Sequence, residues 1–241
     1  MRVFSNCLEM VSEVERELFE MGIQNWPSTF QDKTIGNDPD YLTKELIGYS
    51  YALTNYEDMD SIFTFYGGEL REKGLKYCEV EFNDRLTRPP VNPGLSYMIR
   101  KDLWGRFLES DGKFSYTYSG RMGDQVQKVI DNILHTQGSR QNLISIYNPS
   151  IDSQRIGGKR RIPCSLVFQF LPRVISGEKT LFMTYMMRSS DFYSHFANDV
   201  YLAIKLLKYI SHKTGYNPGT FIHFMSSLHA YQKDWGKRRI F

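Results

Sequence analysis

The stretch Arg160-Arg161-Ile162-Pro163-Cys164-Ser165-Leu166-Val167-Phe168-Gln169-Phe170 decides how this chain reads. From Ser165 on, apolar and aromatic residues follow with hardly a break, the texture of a buried strand. Pro163 interrupts whatever comes before it. Cys164 therefore stands at the mouth of a strand, behind a basic cluster. A lone cysteine is ordinarily a small buried hydrophobe. This one has charged neighbours, which marks it as a candidate nucleophile.

Working outward, residues 143–147 and 180–186 are further short apolar runs separated by Gly, Pro and Ser turns, and 221–228 reads as a last strand. Residues 191–212 form a long apolar-rich helix with Asp191 near its start, and 231–235 a closing helix or loop. Upstream, 8–22 repeats apolar positions at helical spacing and stops at Gly22. Asn37-Asp38-Pro39-Asp40 reads as a cap opening a helix over 41–53, and further helices are expected over 57–73 and 124–136. The proline-rich piece 84–98 is too short to divide domains. Late strands with helices before and between them predict one α+β domain over 1–241, a mixed sheet covered by helices.

Composition narrows the function. Thirty Lys and Arg against 27 Asp and Glu give a net charge of +3, too mild for general nucleic-acid binding. The basic runs Lys159-Arg160-Arg161 and Lys237-Arg238-Arg239 read as solvated faces. Cys7, Cys78 and Cys164 lie far apart with no CxxC spacing, so neither a zinc site nor a disulfide framework is expected and a reducing cytoplasm suits the chain. The first residues lack the apolar stretch of a signal peptide, and no run approaches membrane length.

Downstream of the thiol come Arg188-Ser189-Ser190-Asp191 and Leu228-His229-Ala230-Tyr231. A thiol, an arginine at a strand end and a His/Tyr pair are what covalent chemistry on a phosphorylated substrate needs. The thiolate is the nucleophile, a nearby cation favours it, and a guanidinium grips phosphate through two parallel hydrogen bonds. His229 and Tyr231 lie two apart at a strand exit, so they share a face.

In order and spacing, Pro163-Cys164 with Phe168-Gln169-Phe170, Arg188-Ser189-x-Asp191 and His229-x-Tyr231 resemble the thymidylate synthase superfamily. Lys44-Glu45-Leu46, Trp104, Tyr118 and Gly138-Ser139-Arg140 fall where that family has its motif glutamate, tryptophan, tyrosine and phosphate-binding arginine. Residues 187–199 with 227–231 are most similar to the phage deoxycytidylate hydroxymethylases. The resemblance implies a sheet-mediated homodimer in the cytoplasm (a host's, if phage-encoded), with Arg140 reaching across the interface. It implies Cys164 adding to C6 of a pyrimidine nucleoside monophosphate, so that C5 attacks the one-carbon unit of 5,10-methylenetetrahydrofolate, with no metal, nucleic acid or membrane involved. Glu45 becomes the acid that organises water and moves protons. Arg188, Ser189 and Arg140 meet the phosphate end, His229 and Tyr231 the sugar, and Tyr118 lines the pocket. Asp191 and Trp104 contact the folate.

Base choice turns on Asn198-Asp199. The family reads the base eight residues after its motif aspartate, and 191 plus 8 is Asp199. Cytosine offers an N3 acceptor and an amino donor, which a protonated aspartate matches, whereas an asparagine amide matches uracil. One deleted residue would make Asn198 the reader instead. The expected reaction is hydroxymethylation of dCMP, with C5 methylation of dUMP or dCMP as the alternative. The chain departs from the family at Gln141, where a second arginine is usual, at Met187, and at its C-terminal residues Arg238 to Phe241. Lys33 is the nearest substitute for a missing N-terminal phosphate-binding arginine.

Overall fold

A computed structural model describes residues 1–30, 33–36, 38–157 and 161–235. Its main elements in chain order are β1 (Arg2–Phe4), α1 (Cys7–Met21), β2 (Ile23–Asn25), β3 (Thr43–Leu53), α2 (Ser61–Phe65), α3 (Gly68–Leu86), α4 (Tyr118–Met122) and α5 (Gln125–His135). There follow β4 (Asn142–Ser145), β5 (Ser165–Ile175), β6 (Glu178–Met187), β7 (Ser190–Asp191), α6 (Ala197–Thr214) and β8 (Asn217–Tyr231). The strands form one mixed sheet in the order β1-β3-β8-β6-β5-β4, with β2 paired to β3 and β7 to β8. β8 runs parallel to β6 and antiparallel to β3. The α+β expectation therefore holds.

The helix expected over 41–53 is instead β3, a central strand. The Asp38 cap does form, its side chain accepting from the Asp40 N–H at 3.0 Å, but it serves only a single 3-10 turn, Pro39–Tyr41. Beyond it, Tyr49, Tyr51 and Leu53 alternate along a strand, and 51–53 are buried between β1 and β8. Tertiary pairing overrode the local helix signal. The helix expected over 57–73 is two helices, broken where Gly67 takes φ +115°. The other expected strands and the helices over 8–22 and 124–136 form, with ends shifted by a few residues.

α6 is the main buttress of the sheet. Its Val200, Leu202, Ile204, Leu207 and Ile210 are all buried, each fully buried aliphatic side chain contributing about 1.5–3 kcal/mol. Two irregularities shape the sheet end that matters. Along β8 the buried face switches from odd residues (Phe221, His223, Met225) to even ones (Leu228, Ala230), opposite Gly48 at φ +65°. Glycine tolerates that conformation without a Cβ clash. The switch turns His229 and Tyr231 out of the core. On β5, the pairing with β6 shifts between Ser165 and Val167, a bulge of the kind that re-aims side chains beside active sites.

Candidate active site

β6 and β8 end, and β5 begins, at the same edge of the sheet. There Cys164, Arg188, Ser189, Asp191, His229 and Tyr231 line a cavity of about 820 Å³, together with Trp104, Tyr118, Asn198 and Asp199. That volume falls within the range of small-molecule sites. The three cysteines separate clearly: Cys7 and Cys78 are buried, Cys164 only partly.

Arg188 holds the nucleophile's loop. Its Nε and Nη2 donate to the carbonyls of Pro163 and Ile162, both at 2.9 Å, and Nη2 lies 3.7 Å from the Cys164 Sγ. Burial raises the thiol above its ordinary value; Arg188 and Arg161 pull it down, while Asp199 and Asp191 push it up. The sequence expectation of a net lowering by arginine is thus corrected, since desolvation outweighs the guanidinium. Beneath the loop, the hydroxyls of Tyr118 and Ser165 are 2.8 Å apart, and Ser165 also bonds Tyr185.

Glu45 is not among the cavity-lining residues. It sits on β3 opposite His229, takes the Ser227 hydroxyl on its carboxylate, and Ser227 is 3.4 Å from His229 Nδ1. It is the cross-strand neighbour of His229 and reaches it through Ser227. On α3 both Glu81 and Asp84 line the cavity: Asp84 accepts from the N–H groups of Leu95 and Ser96 at 3.1 and 2.8 Å, while Glu81 is bonded by Arg85 at 2.9 Å and Ser96 Oγ at 2.6 Å. Arg85 in turn lies 4.0 Å over the Tyr118 ring. Sequence reasoning missed Glu81 because it took 84–98 as a loop boundary and placed the motif acid on a helix that does not exist. The signal available was Tyr77-x-x-x-Glu81-x-x-x-Arg85, one stripe of α3 at helical spacing.

Both candidate base readers line the cavity. The five residues after Asp191 wind as a π-turn, Phe192–Phe196, with Asp191 Oδ1 accepting from the N–H groups of Tyr193 and Ser194 at 3.2 Å. A π-turn holds an extra residue, so counting from Asp191 does not fix which side chain faces inward. Asn198 is 3% exposed, its Oδ1 accepts from the Cys78 thiol at 3.4 Å, and its Nδ2 has no partner among the described residues. Asp199 is less deeply covered. Burial pushes its carboxyl up to about 7; Arg85 and Arg100 oppose this, while Glu81 and Asp191 add to it.

Trp104 stacks on His195 at 5.3 Å and 24° and packs against Phe107, while Arg161 lies 4.8 Å over Trp104 and 4.6 Å over Phe107. With Arg100 and Arg106 also lining this side, it offers flat apolar surface beside fixed positive charge. Arg140 is exposed on the loop before β4 and does not line the cavity; its carbonyl accepts from Gln169. Lys159, Arg160 and the segment from Lys237 to Phe241 lie outside the described residues, as does the side chain of Lys33.

An α+β sheet with a partly exposed cysteine, an arginine on its loop and several carboxylates at one end, Glu81, Asp191 and Asp199 among them, defines a nucleophilic-cysteine cavity. The chain belongs to the thymidylate synthase family, whose model matches residues 13–238. Curated proteins named "Putative thymidylate synthase" from Methanococcoides burtonii and Methanocaldococcus jannaschii are 30% and 31% identical over 135 and 119 residues. Those matches cover 54% and 49% of this chain, which spans 58% and 52% of the two relatives. A solved thermostable thymidylate synthase A from Bacillus subtilis superposes with a TM-score of 0.64 at 16% identity, covering 96% of this chain and 82% of its own, a likeness of fold. No helix among the described residues is long and apolar enough to cross a membrane.

Proposed function

We propose that the protein is a folate-dependent C5 hydroxymethyltransferase of a pyrimidine nucleoside monophosphate, dCMP above all. The observation that carries this is the partly exposed Cys164 under Arg188, in one cavity with Glu81 and Asp199. The Trp104–Phe107 wall with Arg100 and Arg106 fits a flat ring with an anionic tail, so the residues suit 5,10-methylenetetrahydrofolate. That group supplies a carbon at the oxidation level of formaldehyde.

In this reading Cys164 adds to C6, which makes C5 nucleophilic. Glu81, rather than Glu45, is the acid within reach of the base and manages protons there, with water. Asp199 reads cytosine: protonated, it donates to N3 and accepts from the amino group. Its protonation also removes the carboxylate charge that contributes most to holding the Cys164 thiol up, so engagement of the base favours the thiolate. His229, kept neutral chiefly by burial, offers one donor and one acceptor to the sugar beside Tyr231.

A homodimer belongs to the same reading. Phe224 and Met186 pair across β8 and β6, on the same sheet face, and are 37% and 36% exposed. A second copy on that face would cover them and bring its Arg140 towards this cavity.

Methyl transfer is the second reading, favoured by the relatives' names. Mass spectrometry of the product from dCMP, CMP and dUMP decides between them. A gain of CH₂O on dCMP supports hydroxymethylation, whereas a gain of CH₂ with dihydrofolate formed overturns it.

A further inference from the structure

His195 is the one cavity-lining histidine that the reading above leaves without a task. It sits in the π-turn, and its ring stacks on Trp104. Neither ring nitrogen has a hydrogen-bond partner among the described residues, yet neither is sealed from the cavity. Burial, together with Arg100, Arg161, His229 and Arg106, keeps the ring neutral. A neutral imidazole carries one donor and one acceptor, and polar groups in so enclosed a position take partners. Without a protein partner, the partner is water, and a polar cavity of this size has room for it. A water bonded to a ring nitrogen lies in the plane of the imidazole, beside the Trp104 stack and on the wall where the one-carbon unit is expected to arrive.

We propose that His195 positions the water that completes hydroxymethyl transfer, and so directs the product away from methyl. The inference rests on the functional reading above. The step begins from a pyrimidine joined to Cys164 through C6 and carrying an exocyclic methylene at C5. The water oxygen bonds to the methylene carbon, and the π pair of the C5–methylene double bond moves onto the ring. The water's proton passes along its hydrogen bond to the free imidazole nitrogen. The ring electrons then restore the C5–C6 double bond and expel the Cys164 thiolate, which recovers that proton as the resting thiol. Nothing is oxidised or reduced. Because surrounding cations disfavour the imidazolium, the proton is not retained; the residue's contribution is orientation. Methyl formation instead needs a dry contact at the same carbon, and a water held here denies it.

The test uses the full chain and two variants. His195→Phe keeps a ring against Trp104 but removes both nitrogens, and His195→Gln keeps a hydrogen-bonding amide. C5-tritiated dCMP with methylenetetrahydrofolate reports chemistry through loss of the C5 proton, and chromatography reports hydroxymethyl product. In a single turnover with enzyme in excess, hydroxymethyl product should keep pace with tritium release in wild type. In His195→Phe it should form about tenfold more slowly, the loss of one well-placed hydrogen bond, with Gln recovering most of it. The phenylalanine protein should also accumulate a nucleotide–methylene adduct on Cys164, seen by intact-protein mass, with its dCMP affinity in the absence of folate unchanged.

A His195→Phe protein whose product still keeps pace with tritium release in a single turnover overturns the inference. So does one that has lost tritium release or dCMP affinity, since its role would then be earlier or merely structural. A methyl product from wild type overturns the functional reading and this inference together. A hydroxymethyl product with unaffected variants removes this inference alone.

Discussion

Arg188 reaches the Cys164 sulfur at 3.7 Å with the same nitrogen that bonds the Ile162 carbonyl, while its Nε bonds the carbonyl of Pro163. One planar fork thus sets both the loop's shape and the charge beside the thiol. The Arg188 N–H adds a backbone bond to the Cys164 carbonyl at 2.9 Å, tying the end of β6 to the start of β5.

Arg188→Lys keeps the charge and loses the fork. Hydrogen bonds from charged groups contribute about 1.5–3 kcal/mol, so tritium release from dCMP should fall by about 10- to 100-fold. Alkylation of Cys164 by iodoacetamide should need a higher pH than in wild type. An unchanged alkylation profile would show that Arg188 does not tune the thiol.

Glu81→Gln should lower turnover about 10²- to 10⁴-fold, the usual worth of a positioned acid or base. Glu45→Gln, acting through Ser227 and His229, should show its main effect on KM for dCMP. Steady-state kinetics of the two variants separate the roles. A larger loss of kcat in Glu45→Gln would return the catalytic acid to β3.

The contrast between these two glutamates marks where the sequence was legible. Cys164, Arg188, His229 and Tyr231 were legible because each stands beside the end of a short apolar run that reads as a buried strand, and Asp191 because it follows Arg188 at the head of an apolar-rich helix. Strand order then brings them together whatever the exact ends. Glu45 was misplaced because a capping signal at Asp38-Pro39 is local, whereas β3 is made by neighbours far along the chain. Glu81 was overlooked because the expected helix ended at residue 73 and 84–98 read as a loop, so it fell between expected elements although Tyr77, Cys78 and Phe82 beside it are buried. Nor does sequence show a π-turn, which sets the register of Asn198 and Asp199.

The cavity wall also rests on Asp152, which is fully buried, bonded by Arg121 at 2.7 Å and by the Asn148 N–H at 2.8 Å, with Arg155 at 3.7 Å. Removing one partner of a buried pair leaves an uncompensated charge, typically at about 3–5 kcal/mol. Arg121→Met should destabilise the fold towards the lower end of that range, because Arg155 remains. Urea unfolding at neutral pH checks this. A loss under about 1 kcal/mol would mean the pair behaves like a surface one.

Asp199 supplies a pH signature. Its carboxyl, raised to about 7, is protonated in the folded state over a range where it is ionised in the unfolded chain. The folded state therefore binds the extra proton, and this group's contribution to stability falls as pH rises from about 4 to about 7, by at most about 1.4 kcal/mol per pH unit, then levels off. Asp199→Asn should remove that slope in denaturant titrations. The same proton is needed to pair with cytosine N3, so wild-type dCMP affinity should weaken as pH rises through about 7 while dUMP affinity stays low. In Asp199→Asn the dependence on pH should vanish and preference should move towards dUMP, because the amide supplies the donor for O4 and the acceptor for N3–H. Calorimetric titration of both nucleotides into both proteins measures this. If Asn198→Ala, and not Asp199→Asn, changes base preference, the reader is the residue that Cys78 holds, and the assignment to Asp199 fails.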